Sequence, residues 1–262
     1  MSGRTPWVLL PFVVLVYVGL LAPLVVVIAV SFGPSASFEF PPTGLTLRWF
    51  EAFFSSKPFV TSFFRVSLVV GLLAAMLATM LGTAAAIGLV RFRFFGREAL
   101  ETFFLMPLLV PQILLGAALY LFYASLEFHP SILTLLGGHV IICTPYVIRS
   151  VTAGLVGMDP RLEEAAMSLG ATPLQAFFKV TFPLLQSSLL SGAIFAFIIS
   201  FSDVNLALFL SGPEVTSLPV HLFSQIQWEG DPTIAAASSL QIVIIGALIL
   251  LVQRIFRLRL MV

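Results

Sequence analysis

Charged residues are scarce in this sequence, and cysteine occurs once. Only 10% of the 262 residues are Asp, Glu, Lys or Arg, whereas soluble domains usually carry about 25%. The single cysteine, Cys143, excludes both a disulfide framework and a metal cluster held by several thiolates. The composition therefore argues against an ordinary soluble domain and against a small fold stapled by disulfides.

Several sequence signatures of catalysis are missing as well. There is no G-x4-G-K-[ST] phosphate-binding loop, so we do not expect the chain to hydrolyse ATP itself. The H-E-x-x-H and G-x-S-x-G patterns of zinc proteases and serine hydrolases are also absent. His129 and His221 show no metal-ligand spacing, and His139 lies within an apolar run, where we interpret it as a hydrogen-bonded interior residue. The sequence thus predicts neither an enzyme nor a metal site.

Long apolar runs, by contrast, are abundant, and 59% of the residues are hydrophobic. A helix that crosses the hydrocarbon core needs roughly 20 mostly apolar residues. The runs that reach or approach this length are 7–32, 66–90, 102–126, 130–148, 184–210 and 233–253. Because they are long and do not alternate, they predict an all-α protein with six transmembrane helices. The first run is much longer than the roughly 7–15 apolar residues of a signal peptide, so we expect a retained helix.

The positive charges are distributed unevenly between the two sides of such a topology. If the N-terminus is inside, only three of the thirteen Lys and Arg lie outside, namely Arg48, Lys57 and Arg65. The cytoplasmic ten are Arg4, Arg91, Arg93, Arg97, Arg149, Arg161, Lys179, Arg254, Arg257 and Arg259. Because cationic loops stay in the cytoplasm, both termini are expected there, together with the polar connection 159–183 between the fourth and fifth helices.

The two outer connections differ in character. In residues 33–60, Thr46 can cap a short helix with Trp49, Phe50, Phe53 and Phe54 toward one side, which predicts an interfacial helix with an aromatic belt. The second connection, around 211–232, is acidic and contains neither Lys nor Arg. Two interpretations of this acidic loop remain open, namely a surface that docks a partner or guides cations, and an ordinary exposed loop.

Local signals divide the polar connection 159–183 into two short helices. Asp159 followed by Pro160 marks a helix start, and Glu163 and Glu164 fall in the first turn, where negative charge is favourable. Gly170 stands where a residue with positive φ would end this helix. Leucines and alanines at helical spacing (Leu162, Ala165, Ala166 and Leu169) give this helix an apolar face, and Arg161, Glu164 and Ser168 share another face.

The start signal then repeats at Thr172, which is followed by another proline. The second short helix is expected to run to about Phe182, with Pro183 marking its exit and with Phe177 and Phe178 on its apolar side. Two functions fit such a pair of amphipathic helices. They can present a rigid knob to a soluble partner, or they can lie flat in the headgroup region.

The spacing of this connection resembles a known signature. Residues 164–166 (EAA), three residues, Gly170, nine residues and then Val180-x-Phe182-Pro183 resemble the E-A-A-x3-G-x9-I-x-L-P motif of ABC importer permeases, with departures at Val180 and Phe182. The resemblance implies a type I permease fold and a coupling element that enters a cleft on a cytoplasmic ATPase subunit. The residues that would form this element are Arg161, Glu163, Glu164, Ala165, Ala166, Gly170, Phe177, Phe178 and Pro183.

Further stretches are similar to the spermidine/putrescine branch of these permeases, namely LTLRWFEAFF, FFLMPLLVPQILLGAAL and SFSDVNLALFLSGPEVTSLPV. The resemblance implies a bacterial inner-membrane protein without a cofactor of its own. Its partners would be two ABC ATPase subunits that bind ATP, a second permease that is a different chain, an extracytoplasmic binding protein and membrane lipids, with no nucleic acid. A polyamine is the expected solute. Aminophosphonate, iron or another small cation is the alternative, and an ion-coupled secondary transporter is a more distant one.

Asp203 is the one charged residue inside the six predicted membrane segments. An ionised carboxylate at the bilayer centre costs roughly 2.5–3.5 kcal/mol or more, so such residues usually face protein or a water-filled path. Ser200, Ser202 and Asn205 surround it in the sequence. The resemblance implies that this carboxylate faces the translocation path, where it can pair with an ammonium group. The alternative is a polar clamp against a neighbouring helix, for example at Gln112.

Further expectations concern packing and domain organisation. Pro107 and Pro111 predict a kink in the third membrane helix. Gly82 and Gly88 predict close helix packing through small residues. We divide the chain into a first helix with its outer segment (1–60), a permease core (61–254) and a cytoplasmic tail (255–262).

Overall fold

Helices account for the regular structure in a computed structural model that describes residues 9–228 and 231–259. Within these residues the extended structure is limited to one isolated bridge between Gly212 and Val215. In chain order the helices are α1 (Leu9–Ser31), α2 (Arg48–Ser55), α3 (Lys57–Arg91), α4 (Arg97–Leu108), α5 (Gln112–Ser125), α6 (Ile132–Val156), α7 (Arg161–Ser168), α8 (Pro173–Ser202), α9 (Ala207–Leu210), α10 (Leu218–Trp228) and α11 (Thr233–Arg259). The predicted all-α class is confirmed.

Five helices among the described residues are long and apolar enough to cross a membrane, namely α1, α3, α6, α8 and α11 through Leu251. A sixth span is present if α4 and α5 are counted together, although they are bent by 102° at the break between them. Pro111 lies at this break with extended backbone (φ −55°, ψ 125°). Because proline lacks an N–H and keeps the preceding residue out of the helical region, the expected kink becomes a full break.

Two compact units emerge from the contacts within the chain. One combines residues 1–60 with 222–247, and the other combines 61–221 with 248–262. The division into an N-terminal part, a core and a tail stays a prediction. The helix α11 continues to Arg259, so the first residues of the predicted tail extend the last helix, while 260–262 lie outside the described residues.

In the first unit, the aromatic side of α2 packs inward more than the interfacial prediction allows. The Trp49 indole N–H donates to the carbonyl oxygen of Gly33 at 2.9 Å. Phe53 is fully buried, with its ring centroid 5.8 Å from that of Phe59, while Phe54 is exposed. The predicted aromatic belt is therefore wrong for Phe53, which is buried within the protein, while the interfacial placement of α2 stays a prediction.

In the second unit, α3, α6 and α8 pack against one another and form the core. Small residues on α3 allow this close approach, and Ala74, Ala78, Gly82 and Ala86 are buried. Gly82 lies against Val147 of α6, whereas Gly88 faces open space. The predicted small-residue packing therefore holds for Gly82 and is wrong for Gly88.

Polar contacts also join α6 to α8. His139 Nδ1 lies 2.6 Å from the hydroxyl oxygen of Ser200, and the thiol of Cys143 donates to the carbonyl oxygen of Ala196 at 3.2 Å. The hydroxyl of Ser150 donates to the carbonyl oxygen of Ser188 at 2.7 Å. Such hydrogen bonds fix the register of helices where lipid supplies no hydrophobic driving force between them.

We expect Gly82→Leu to destabilise the protein and Gly88→Leu to leave it nearly unchanged. A Cβ at position 82 would stand 2.8 Å from the Cβ of Val147, while a Cβ at position 88 would meet nothing within 4 Å. Overpacking of this kind typically costs about 1–3 kcal/mol. Thermal unfolding of the two purified variants in the same detergent checks this expectation. Equal melting temperatures for the two variants would show that the α3–α6 contact is not tight.

Candidate functional site

The first short helix of the polar connection has the start and the end that the sequence predicts. The Asp159 carboxylate accepts a hydrogen bond from the backbone N–H of Arg161 at 3.0 Å, and α7 follows directly. Gly170 ends the turn after α7 with φ +90°. An L side chain is strained in this left-handed conformation, so glycine at this position permits the sharp reversal between the two helices.

The second helix starts where expected and continues further than expected. Thr172 and Gln175 form a reciprocal capping box, in which the Thr172 hydroxyl oxygen accepts from the backbone N–H of Gln175 at 3.3 Å. The helix does not exit at Pro183 but runs without a break to Ser202. A π-helical stretch, Phe177–Thr181, precedes the proline. The wider π turn shifts the backbone hydrogen bonds where proline offers no N–H, so the predicted helix end at Pro183 is wrong.

An ion pair joins this connection to the end of α3. The Arg91 guanidinium contacts both carboxylate oxygens of Glu163, at 2.9 Å from Nη1 to Oε1 and at 2.8 Å from Nη2 to Oε2. Nη2 also donates to the hydroxyl of Thr181 at 3.2 Å. The sequence pattern did not predict this pair, because Arg91 and Glu163 lie 72 positions apart. Opposite charges on the same expected side of the membrane were the available signal.

The opposite side of α7 and the turn after it are exposed. Glu164 is exposed, in contrast to Glu163, whose side chain is 18% exposed. Leu169 at the tip is 90% exposed, and Leu162 is 48% exposed. Of the other predicted coupling residues, those that are exposed are Arg161, Ala165, Gly170, Phe178 and Pro183, while Ala166 and Phe177 are partly buried. Exposed leucines beside a carboxylate form a surface that can enter an apolar cleft with a basic rim.

The predicted pathway residues lie at the other end of α8. The helix ends at Ser202, and Asp203 follows with extended backbone, so the apolar run 184–210 is not one continuous helix. The Asp203 carboxylate is buried and accepts a hydrogen bond from the backbone N–H of Ala207 at 2.9 Å. It therefore acts as a cap for the short helix α9.

The other three predicted pathway residues divide into one buried residue and two exposed ones. Ser200 is buried and bonded to His139. Ser202 and Asn205 are exposed on either side of Asp203, and the Ser202 hydroxyl donates to the carbonyl oxygen of Ile198 at 2.7 Å. The four residues thus lie around one turn, but the charged group points into the protein.

Two glycines make room for the segment that Asp203 caps. A Cβ on Gly116 of α5 would stand 3.0 Å from the Cα and the carbonyl oxygen of Leu206. A Cβ on Gly138 of α6 would stand 2.9 Å from a methyl group of Leu206. Leu206, Ala207 and Leu210 are fully buried as a result. The turn after α8 is therefore packed as tightly as a protein core.

Comparison with known proteins identifies a family model and relatives that this chain matches. A family model described as "Binding-protein-dependent transport system inner membrane component" matches residues 78–261. The chain is 34% identical over 251 residues to the putrescine transport system permease protein PotI of Escherichia coli (strain K12), covering 93% of this chain and 87% of that protein. It is 30% identical over 246 residues to the spermidine/putrescine transport system permease protein PotC of Haemophilus influenzae (strain ATCC 51907 / DSM 11121 / KW20 / Rd), covering 94% of this chain and 95% of that protein.

Solved structures with low sequence identity share the fold. A chain of a bacterial ABC transporter involved in the import of the acidic polysaccharide alginate matches with a TM-score of 0.73 at 17% identity, covering 97% of this chain and 98% of that chain. A chain of the MetNI methionine ABC transporter in an inward-facing conformation matches with a TM-score of 0.61 at 17% identity, covering 77% and 98%. With the family model and the relatives above, these findings show that the chain belongs to the family of binding-protein-dependent transport system inner membrane components, the multi-pass permease subunits of bacterial ABC importers.

Proposed function

We propose that this permease subunit imports a polyamine such as putrescine or spermidine, with ATP hydrolysed by separate ATPase subunits. The observation that carries the energy-coupling part is the exposed α7, which presents Glu164 and Leu169 beside the hinge at Gly170. The solute class rests on the relatives, which transport putrescine and spermidine according to their names. The other proposed partners are a second permease chain and an extracytoplasmic binding protein.

Coupling would be mechanical, because the chain carries no phosphate-binding loop. When two ATPase subunits close on ATP, a cleft on each would move the α7 seated in it. α7 connects through the capped turn at Thr172 to α8, which runs unbroken from Pro173 to Ser202. A displacement at the cytoplasmic end would therefore reach the turn at Asp203 through one rigid helix, and alternating access would follow from such rigid-body motion.

Glu164→Lys tests the proposed docking surface. The Glu164 side chain is exposed and forms no ion pair or hydrogen bond within the part of the chain that the structure describes, so the fold should tolerate the change. A lysine would face the basic rim expected on the ATPase, and like charges at an interface oppose binding. We expect uptake to fall roughly tenfold or more, with normal amounts of the variant in the membrane.

The matched control for this experiment is Glu98→Lys, which reverses an exposed charge in the first turn of α4, outside the predicted coupling residues. Uptake by the control should stay near that of the parent, as measured with radiolabelled putrescine in cells. Co-purification of the ATPase should be lost for Glu164→Lys and kept for Glu98→Lys. Normal uptake by Glu164→Lys would contradict the docking role.

The proposed path for the solute passes the turn that contains Ser200, Ser202, Asp203 and Asn205. Ser202 and Asn205 are exposed and would meet the solute directly, while Asp203 supplies negative charge from just beneath them. A carboxylate attracts an ammonium group through direct charge pairing, and this attraction is strong where water is scarce. In this conformation the Asp203 carboxylate also holds the backbone of the turn, so one side chain would shape the path and charge it.

Two substitutions separate the charge of Asp203 from its capping role. Asp203→Asn keeps an oxygen that can accept from Ala207, so its melting temperature should stay near that of the parent, while uptake of a dication should fall severalfold. Asp203→Ala removes the cap as well and should lower stability by about 1 kcal/mol. Thermal unfolding and uptake assays measure the two effects. Unchanged uptake by Asp203→Asn would leave Asp203 with the capping role alone.

Thiol labelling tests the proposed orientation, with both termini and α7 in the cytoplasm. The native Cys143 is fully buried in α6, so it should stay unlabelled and leave a low background. Ser37→Cys, on the outer connection, and Ser168→Cys, at the end of α7, each place a thiol at an exposed position. A membrane-impermeant maleimide added to intact spheroplasts should label position 37 and not position 168. Labelling of position 168 from outside would reverse the topology.

A further inference from the structure

We propose that Arg91 is a positioning residue that fixes the angle of α7 relative to the cytoplasmic end of α3. This inference deepens the function proposed above and rests on it for its consequence in transport. The contacts that support it are the bidentate ion pair of Arg91 with Glu163 and a third contact of Arg91 to Thr181. It assigns the two adjacent glutamates of α7 different tasks, with Glu163 directed toward its own chain and Glu164 toward the partner.

The geometry of the Arg91 side chain is that of a clamp with three points of contact. Two nitrogens face the two oxygens of Glu163 at 2.9 and 2.8 Å. The second of these nitrogens also donates to Thr181 at 3.2 Å, and the guanidinium carbon lies 5.9 Å from the centroid of the Phe177 ring. Arg91 thereby joins α3, α7 and the π-helical start of α8. Fork-to-fork pairing fixes direction as well as distance, which a lysine would not do.

The positions of the two charges within their helices add to the stability of this clamp. Arg91 is the last residue of α3, where the helix dipole favours a cation. Glu163 lies in the first turn of α7, where the dipole favours an anion. The side chains are 26% and 18% exposed, so water and salt screen the pair less than a fully exposed one. The contact is therefore stronger than an average surface ion pair.

The connections of α7 explain why it needs such a clamp. α7 has eight residues and no buried side chain. It is bounded on one side by the turn at Gly157–Pro160 and on the other by the positive-φ residue Gly170. A helix this short, without an apolar core contact of its own, gains little rigidity from its backbone alone. The Arg91 clamp supplies the missing fixed point, so a push on α7 moves α3 together with α8 rather than tilting α7 alone.

Hydrogen–deuterium exchange of the full-length chain in lipid nanodiscs tests the clamp directly. Arg91→Gln and Glu163→Gln should each speed the exchange of the α7 amides by roughly three- to tenfold, because a hydrogen-bonded charge pair restrains the helix. The matched control is Arg93→Gln, which removes a neighbouring cytoplasmic charge outside the clamp. The exchange of α7 in this control should match that of the parent. Equal effects of Arg91→Gln and Arg93→Gln would overturn the proposal.

A charge reversal excludes an indirect effect of misfolding. Combining Arg91→Glu with Glu163→Arg restores opposite charges across the same gap, so α7 exchange in the double variant should move back toward the parent value. Arg91→Lys should give an intermediate rate, because lysine keeps the charge and loses the fork. If the increase in α7 exchange rate in the double variant equals the sum of the increases in the two single variants, the ion pair itself is not what restrains α7.

A transport assay tests the consequence for function. It uses the assembled complex in proteoliposomes and measures the number of solute molecules transported per ATP hydrolysed. With Arg91→Gln this ratio should fall severalfold, because an α7 that Arg91 does not hold transmits less of the movement of the ATPase. The ATPase should stay bound, and the melting temperature should stay near that of the parent. An unchanged ratio would overturn the transport consequence. If the parent chain shows no ATP-driven uptake of putrescine, the proposed solute fails, and the exchange measurements still decide the role of Arg91.

Discussion

A backbone N–H or C=O group inside the hydrocarbon core finds no water to bond, and this constraint shapes most of the fold. It favours unbroken helices, and it demands a local remedy wherever a helix has to stop or bend. At the end of α8, the remedy is the Asp203 carboxylate, which bonds a backbone N–H of the next turn. Before Pro183 it is a π-helical stretch. Each device keeps backbone groups satisfied where the chain departs from a regular helix.

The polar connection 159–183 follows a different rule, because α7 has no buried side chain and exposure of its polar groups to water costs little. The short α7 has no core of its own, so specific polar contacts determine its placement. Glu163 turns back toward Arg91, and Glu164 stays free at the surface. Adjacent residues on a helix project about 100° apart, so α7 can bond Arg91 through Glu163 and at the same time expose Glu164 on another side.

Sequence alone predicted the features that depend on local chemistry. The fold class, the capped start of α7 and the positive-φ residue Gly170 follow from composition and from neighbouring residues. The predictions that were wrong depended on tertiary packing or on cooperation along a helix. Whether Gly88 contacts another helix depends on which residues pack across from it. Whether a helix can continue past Pro183 depends on the π-helical stretch in the preceding turn. The pair of Arg91 with Glu163 required the fold, because no local pattern links residues so distant in sequence.

The two neighbouring glutamates of α7 should also have different histories across related importers. In the proposed docking role the exposed Glu164 would face the ATPase, so a change at position 164 would have to be matched by a change in another gene. Glu163 pairs with Arg91 of the same polypeptide, so a change at position 163 can be compensated by a second change in the same gene. An ATPase borrowed from another transporter would consequently have to suit only the outward residue, and permease and ATPase genes could be recombined without disturbing the inward one.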